Sequence, residues 1–164
     1  RKEFHFARGS LSEVVRETLD SYRYHLAKKG FQVHEEIASD LPETDFDREA
    51  IAGALINFLS NAMKFSPDRK DITVRLFREG AAAVIQVEDR GIGIARQDLA
   101  GIFKRFYRAQ SSIVAGTHGS GLGLAVCHRI VTAHGGTITH EPRPGGGARF
   151  RVTLPTSENH ADSD

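Results

Sequence analysis

The stretch ITVRLFREGAAAVIQVED, Ile72–Asp89, decides the fold. It reads as two strands, Ile72 to Phe77 and Ala82 to Asp89, joined around Gly80. So short a link cannot hold the crossover that a parallel pair needs, so the strands form an antiparallel hairpin. A chain with adjacent hairpins places its helices over one face of a mixed sheet in preference to winding them around a parallel one.

Upstream, Ser10 and Glu13 make a capping box, and Leu11, Val15, Leu19, Tyr22 and Leu26 recur near helical spacing, which predicts a helix from Ser10 to Lys29 that stops at Gly30. Phe31 to Ile37 partly alternates and reads as a strand. Ala38 to Asp47, containing Pro42, reads as a loop into a second helix. There Ile51, Leu55, Phe58, Leu59, Ala62 and Phe65 form a broad apolar face, and Pro67 ends the helix.

Downstream, Asp89 to Gly123 changes to glycines, basic residues and short aromatic pieces, a span long enough for a functional lid. A third helix is expected from about Leu122 to His134, stopped by Gly135 or Gly136. Gly136–Pro142 and Gly147–Pro155 flank RPGGG as a second hairpin. The order is α, β, α, β, β, lid, α, β, β, and the class is α+β.

Apolar residues make up 40% of the 164 and charged residues 26%, with 22 basic against 21 acidic, which suits one globular domain over 1–155 and argues against a nucleic-acid partner. Residues 156–164 read as a polar, disordered tail. One cysteine, Cys127, excludes an intrachain disulfide and favours the reducing cytoplasm. Neither a membrane span nor the apolar core of a secretion signal is present, so nothing here targets or anchors the chain; a longer parent protein could do either.

Three polar groups stand out. Asn57 and Asn61 are poor helix-interior residues, yet they share a stripe with Lys64. Such a stripe is either a solvated face or a ligand face, with amide oxygen for magnesium and an ammonium for phosphate. Asp89 ends an apolar strand before Gly91 and Gly93, as an ordinary surface residue of a turn, as an acceptor for a ligand amino group beside a closely approaching backbone, or as part of a metal site. Gly119, Gly121 and Gly123 precede a helix, as a hinge or as a phosphate cradle of backbone N–H groups. Between them Phe103 and Phe106 pin a short helix, with Lys104, Arg105 and Arg108 supplying charge.

The histidines make no metal pattern. Cys127 reads as a small buried hydrophobe, His128 and His134 read as structural or surface residues, and His5 and His25 lack an evident acid-base partner.

In combination these blocks resemble the catalytic, ATP-binding domain of bacterial sensor histidine kinases, within the superfamily that includes gyrase, Hsp90 and MutL. NFLSNAMKFS resembles the N box, which implies magnesium at Asn61, phosphate contact at Lys64 and a supporting place for Asn57. DRGIGI resembles the G1 box, which implies that Asp89 accepts the adenine amino group in a pocket shaped by Gly91 and Gly93. FKRFYR resembles the F box, with Phe103 and Phe106 anchoring the ATP lid and Arg105 and Arg108 near phosphate or the transfer interface. GSGLGL resembles the G2 box, Gly119, Ser120, Gly121, Leu122 and Gly123, bordering the triphosphate and hinging the lid.

The resemblance implies a two-layer α/β sandwich of the Bergerat type, three long helices on one face, and ATP with Mg2+ as ligands. It also implies transfer of the γ-phosphoryl group to a histidine on a separate dimerisation domain of the same parent, a homodimer that serves a response regulator. The isolated domain is then monomeric and without nucleic-acid function. Ser60 departs from the acidic residue usual before the second asparagine. Asn57 stands where hydrolysing relatives carry a glutamate, and its amide cannot act as a general base. The alternatives are an ATP hydrolase of the gyrase type and a non-catalytic nucleotide-sensing module. No phosphoacceptor motif surrounds His5.

Overall fold

The computed structural model describes residues 3–92, 101–103, 123–143 and 145–156. Three helices and seven strands occur among them: β1 (Ala7–Gly9), α1 (Leu11–Lys28), β2 (Gln32–Ile37), β3 (Thr44–Phe46), α2 (Arg48–Lys64), β4 (Asp71–Glu79), β5 (Ala82–Asp89), α3 (Gly123–Ala133), β6 (Thr137–Pro142) and β7 (Ala148–Pro155).

Each helix begins or ends where its sequence supplies the missing hydrogen bonds. Ser10 Oγ accepts the Glu13 N–H at the start of α1, and Asp47 Oδ1 accepts the Ala50 N–H at the start of α2. Gly135, at φ 74°, ends α3 in the left-handed region, and the Gly136 N–H bonds back to the Val131 carbonyl.

The main sheet runs β2-β4-β5-β7-β6. β2 lies parallel to β4 and the other pairs are antiparallel, so the hairpin read from Ile72–Asp89 is present and the sheet is mixed. Ile72, Val74 and Leu76 of β4 and Ala83, Ile85 and Val87 of β5 join Val15, Leu19, Leu55, Leu59 and Val131 of the helices in one core. The fold is the α+β sandwich of the Bergerat type, with its helices on one face.

The opposite face carries a ladder of alternating charge across all five strands, Glu36–Arg75–Glu88–Arg149–Glu141, with contacts of 2.9, 2.9, 2.6 and 3.1 Å. Burial alone would raise the Glu88 carboxyl, but hydrogen bonds and charge from Arg149 and Arg75 outweigh it and hold the group below its ordinary range. The ladder lets a polar sheet face stand without a second layer of helices.

Two elements were not legible beforehand. β1 pairs with β3 as a separate two-stranded sheet, Ala7 opposite Phe46 and Gly9 opposite Thr44; the sequence reads the β3 residues as part of a loop and gives no element at β1. Three-residue strands are too short to show a period. His134 ties this region to the helices: its Nε2 accepts the Asp47 N–H at 3.0 Å, which leaves the Nδ1 proton to donate to the Ile130 carbonyl at 2.7 Å. Phe4 and Phe6 pack on its ring. Thr156 is also part of the folded unit, since its N–H and hydroxyl both donate to the Ala81 carbonyl. No helix among the described residues is long and apolar enough to cross a membrane.

Candidate functional site

α2 is the spine of the site. Its apolar residues Ile51, Leu55, Phe58 and Leu59 are buried against sheet and neighbouring helices, which leaves Asn57 and Asn61 half-buried beside the core stripe and Lys64 exposed at the last turn. From Asn57 to Ser66 the helix and its cap advance about 13 Å at 1.5 Å per residue.

At the Asn57 end, α3 begins. A Cβ on Gly123, its first residue, would stand 3.9 Å from Asn57 Cγ and Oδ1, so the amide lies against the opening turn of α3, where unpaired N–H groups favour anions. Cys127 lies one turn further on. Burial pushes its thiol up to about 12, opposed by a hydrogen bond from Asn57, while Sγ donates to the Ala54 carbonyl at 3.6 Å. This cysteine is therefore an inert hydrophobe that also steadies the Asn57 amide. Ser60, the departure from the usual acidic residue, faces α1 and hydrogen-bonds Tyr22.

At the other end, Asp89 closes β5. Asp89 as a whole is only 5% exposed. Its Oδ1 accepts two backbone N–H groups, from Gly91 at 2.8 Å and from Ala148 at 3.2 Å. Its Oδ2 has no protein hydrogen bond among the described residues. Burial pushes the carboxyl above its ordinary range, against the pull of the two backbone bonds and of Arg143. A buried acceptor with one oxygen fixed and the other unused is suited to a donor from outside the chain.

The turn after Asp89 is fastened to the end of α2. The Ile92 N–H donates to the Phe65 carbonyl at 2.9 Å, and a Cβ on Gly91 would overlap that same carbonyl. Only glycine allows this approach. From the other side Gly147, at φ 103°, presses on the backbone of Asp89 and Arg90. Asp89 is thus placed by α2 and by the β6–β7 turn together. The sequence presented that turn only as a hairpin; the clue was a third glycine beyond what a tight turn needs.

Phe103 lies against Phe150 of β7 and His128 of α3, with ring centroids 6.2 and 5.7 Å apart. Gly93, Arg105, Phe106, Arg108, Gly119, Ser120, Gly121 and Leu122 lie outside the described residues, as does the lid expectation. A cavity of about 370 Å³ opens between α2 and α3, bounded by Gly53, Ile56 and Asn57 on one side and Val126, Arg129 and Ile130 on the other. It starts at Asn57 and leads toward Glu49 and Phe4, away from Asp89.

Residues 46–158 match the model of the histidine kinase-, DNA gyrase B-, and HSP90-like ATPase family. The chain belongs to this family. Within the family it matches the catalytic domain of bacterial sensor histidine kinases. It is 34% identical to the sensor histidine kinase WalK of Bacillus subtilis (strain 168), a match that covers 98% of this chain and 27% of WalK. The catalytic domain of the histidine kinase ThkA, solved free of nucleotide, superposes with a TM-score of 0.80 at 25% identity, covering 93% of this chain and 99% of that one. Full-length ShkA, solved with AMPPNP, gives 0.79 at 26% identity over 94% of this chain and 32% of ShkA. The chain spans 15% to 38% of the lengths of the curated relatives it matches.

Proposed function

We propose that this chain is the ATP-binding, phosphoryl-donating half of a two-component histidine kinase. The observation that carries this reading is Asp89: a buried carboxylate with one oxygen held by backbone N–H groups and the other without a hydrogen bond among the described residues, on a turn seated against the helix that bears Asn57, Asn61 and Lys64. A base amino group at Asp89 and phosphates along Lys64, Asn61 and Asn57 would occupy successive positions beside one helix, α2.

The donor set fits magnesium. No cluster of three or more histidine, cysteine or carboxylate ligands occurs among the described residues. Mg2+ does not require one, because it is ordinarily held by one or two protein oxygens together with waters and substrate phosphates. Asn61 would supply the protein oxygen, with Asn57 beside it and Lys64 on the phosphates. Bound there, the metal would neutralise charge on the transferring phosphoryl group.

The chain's own contribution is positioning. Asp89 selects and orients the base, and Gly91 holds the turn close to α2. The first turn of α3 and Lys64 supply positive charge, and Arg105 and Arg108 add more at the transfer interface. Gly93 shapes the base pocket, while Phe103 and Phe106 anchor the lid that Gly119, Ser120, Gly121, Leu122 and Gly123 border. Asn57 offers an amide where water activation would need a carboxylate, which favours transfer over hydrolysis. The cavity beginning at Asn57 gives an incoming histidine an approach from the side opposite the base. That histidine sits on the dimerisation domain of the parent kinase, a homodimer working in the cytoplasm and passing phosphate to a response regulator.

The test is to mix the chain with γ-labelled ATP, magnesium and the separately expressed dimerisation domain. Label should reach that domain's histidine, little inorganic phosphate should appear without it, and Asn61→Ala should abolish transfer. Steady hydrolysis by the chain alone, with no labelled histidine, would assign it to the hydrolases instead.

A further inference from the structure

On the helix-facing side of β6, Ile138 stands opposite Val152 of β7 and His140 stands opposite Phe150. Ile138 is the apolar residue that such a position calls for; His140 is not. Both of its ring nitrogens are buried, and neither has a hydrogen-bond partner among the described residues. A neutral imidazole leaves one donor and one acceptor unsatisfied there. An imidazolium would leave two donors and a charge, which is far less favourable.

The ring is the outer member of an aromatic stack that leads to the proposed phosphate end of the site. His140 lies against Phe150, with ring centroids 5.2 Å apart. Phe150 in turn meets Phe58 at 5.4 Å and, edge to face, Phe103 at 6.2 Å. Phe58 sits between Asn57 and Asn61 on α2. Close-packed interiors pass displacements on, so a movement of His140 reaches the helix that bears both asparagines through one intervening ring.

Nothing nearby would compensate a proton on this ring. The charge that acts on it is the Glu141 carboxylate, which lies on the other face of the sheet and is already paired with Arg149 at 3.1 Å. On β7, Arg149 and Arg151 flank Phe150 and bond Glu88 and Gln86 on that same far face. The side chains that α3 buries are the uncharged Cys127, Ile130 and Val131, and its exposed His128 meets Phe103. Burial lowers the His140 imidazole. The seated form is therefore fully favoured above the ordinary histidine value, about 6.5, and is lost as pH falls below it.

We propose that His140 makes the nucleotide site pH-sensitive: neutral, it backs Phe150 and through Phe58 the stretch of α2 that carries Asn57 and Asn61; protonated, it turns out of its seat and loosens that stretch. This rests on the nucleotide reading above and adds a regulation to it. Because ATP favours the packed arrangement, its binding expels a proton from His140, and mild acid weakens ATP in return.

The experiment joins two measurements. NMR follows the His140 ring of wild type from about pH 5 to about pH 8, with and without saturating ATP and magnesium, and bound ATP should move its titration to lower pH. Calorimetry compares ATP binding by wild type, His140→Phe and His140→Leu at about pH 7.5 and about pH 5.5. At the higher pH the three should bind within about twofold of one another, and at the lower pH wild type should weaken about fivefold more than either variant. Titration of the ATP phosphates and of Asp89 is common to all three and cancels in that comparison. A His140 titration that ATP does not move overturns the inference, and this readout needs no variant to fold. Equal weakening of all three proteins at the lower pH overturns it as well. Wild type that binds no ATP at the higher pH would instead remove the nucleotide reading and this inference with it.

Discussion

Asp89→Asn changes the base contact while keeping the shape of the turn. The Gly91 and Ala148 N–H groups both need an acceptor at Oδ1, and in asparagine only the amide oxygen can serve. The amide NH2 is then forced to the position of Oδ2 and faces the adenine amino group donor to donor. One charge-assisted hydrogen bond is lost, so ATP affinity should fall by about 2–3 kcal/mol, or roughly 30- to 150-fold in Kd. GTP presents an oxygen at the same place and should lose far less, narrowing or reversing the preference. The empty protein should respond in the opposite sense. Burial raises the Asp89 carboxyl above its ordinary range. For an acid raised on folding, the contribution to stability is full below the unfolded value and is lost as pH rises through the folded one, so the ionised group costs stability at neutral pH. The neutral amide removes that cost, and nucleotide-free Asp89→Asn should melt at or above wild type. Titration with ATP and GTP, together with thermal unfolding, checks both arms. An ATP affinity within about threefold of wild type and an unchanged ATP-to-GTP ratio would refute the role given to Asp89.

Asn61→Ala should remove the magnesium-dependent part of ATP affinity, about tenfold or more, while leaving metal-free binding close to wild type; titrations with and without magnesium measure it. Gly91→Ala drives a Cβ into the Phe65 carbonyl and should cost about 2 kcal/mol or more in denaturant unfolding, with ATP affinity reduced as the turn is displaced. Glu88→Gln takes from Arg75 and Arg149 their shared central carboxylate and leaves each with one outer partner, Glu36 and Glu141, so the loss should be about 1–2 kcal/mol and the salt dependence of unfolding should weaken. Burial, against the opposing charge of Glu141, lowers the His140 imidazole. Its contribution to stability is therefore full above the ordinary histidine value, about 6.5, and lost as pH falls below it. His140→Phe should flatten the unfolding midpoint between neutral and mildly acidic pH.

The sheet was legible because its signals are local: Gly80 and Arg143–Gly147 sit between strand-like runs that must pair with their neighbours. The polar stripe of α2 was legible for a related reason, since helical spacing alone brings Asn57, Asn61 and Lys64 together. Long-range supports were not. Gly147 pressing on Asp89, Cys127 bonding Asn57, and Ser60 meeting Tyr22 each join residues that no period connects. β1 and β3 escaped for want of length, and His134 revealed itself only through the Asp47 N–H that it accepts.

The central claim is that the chain binds ATP alongside α2, by its base at Asp89 and by its magnesium-bound phosphates at Asn61. Calorimetric titration of the chain with ATP and with GTP, each with and without magnesium, tests it most directly. Single-site binding that prefers ATP and tightens with magnesium is the predicted result. No saturable heat with ATP, or binding indifferent to both base and metal, would contradict it.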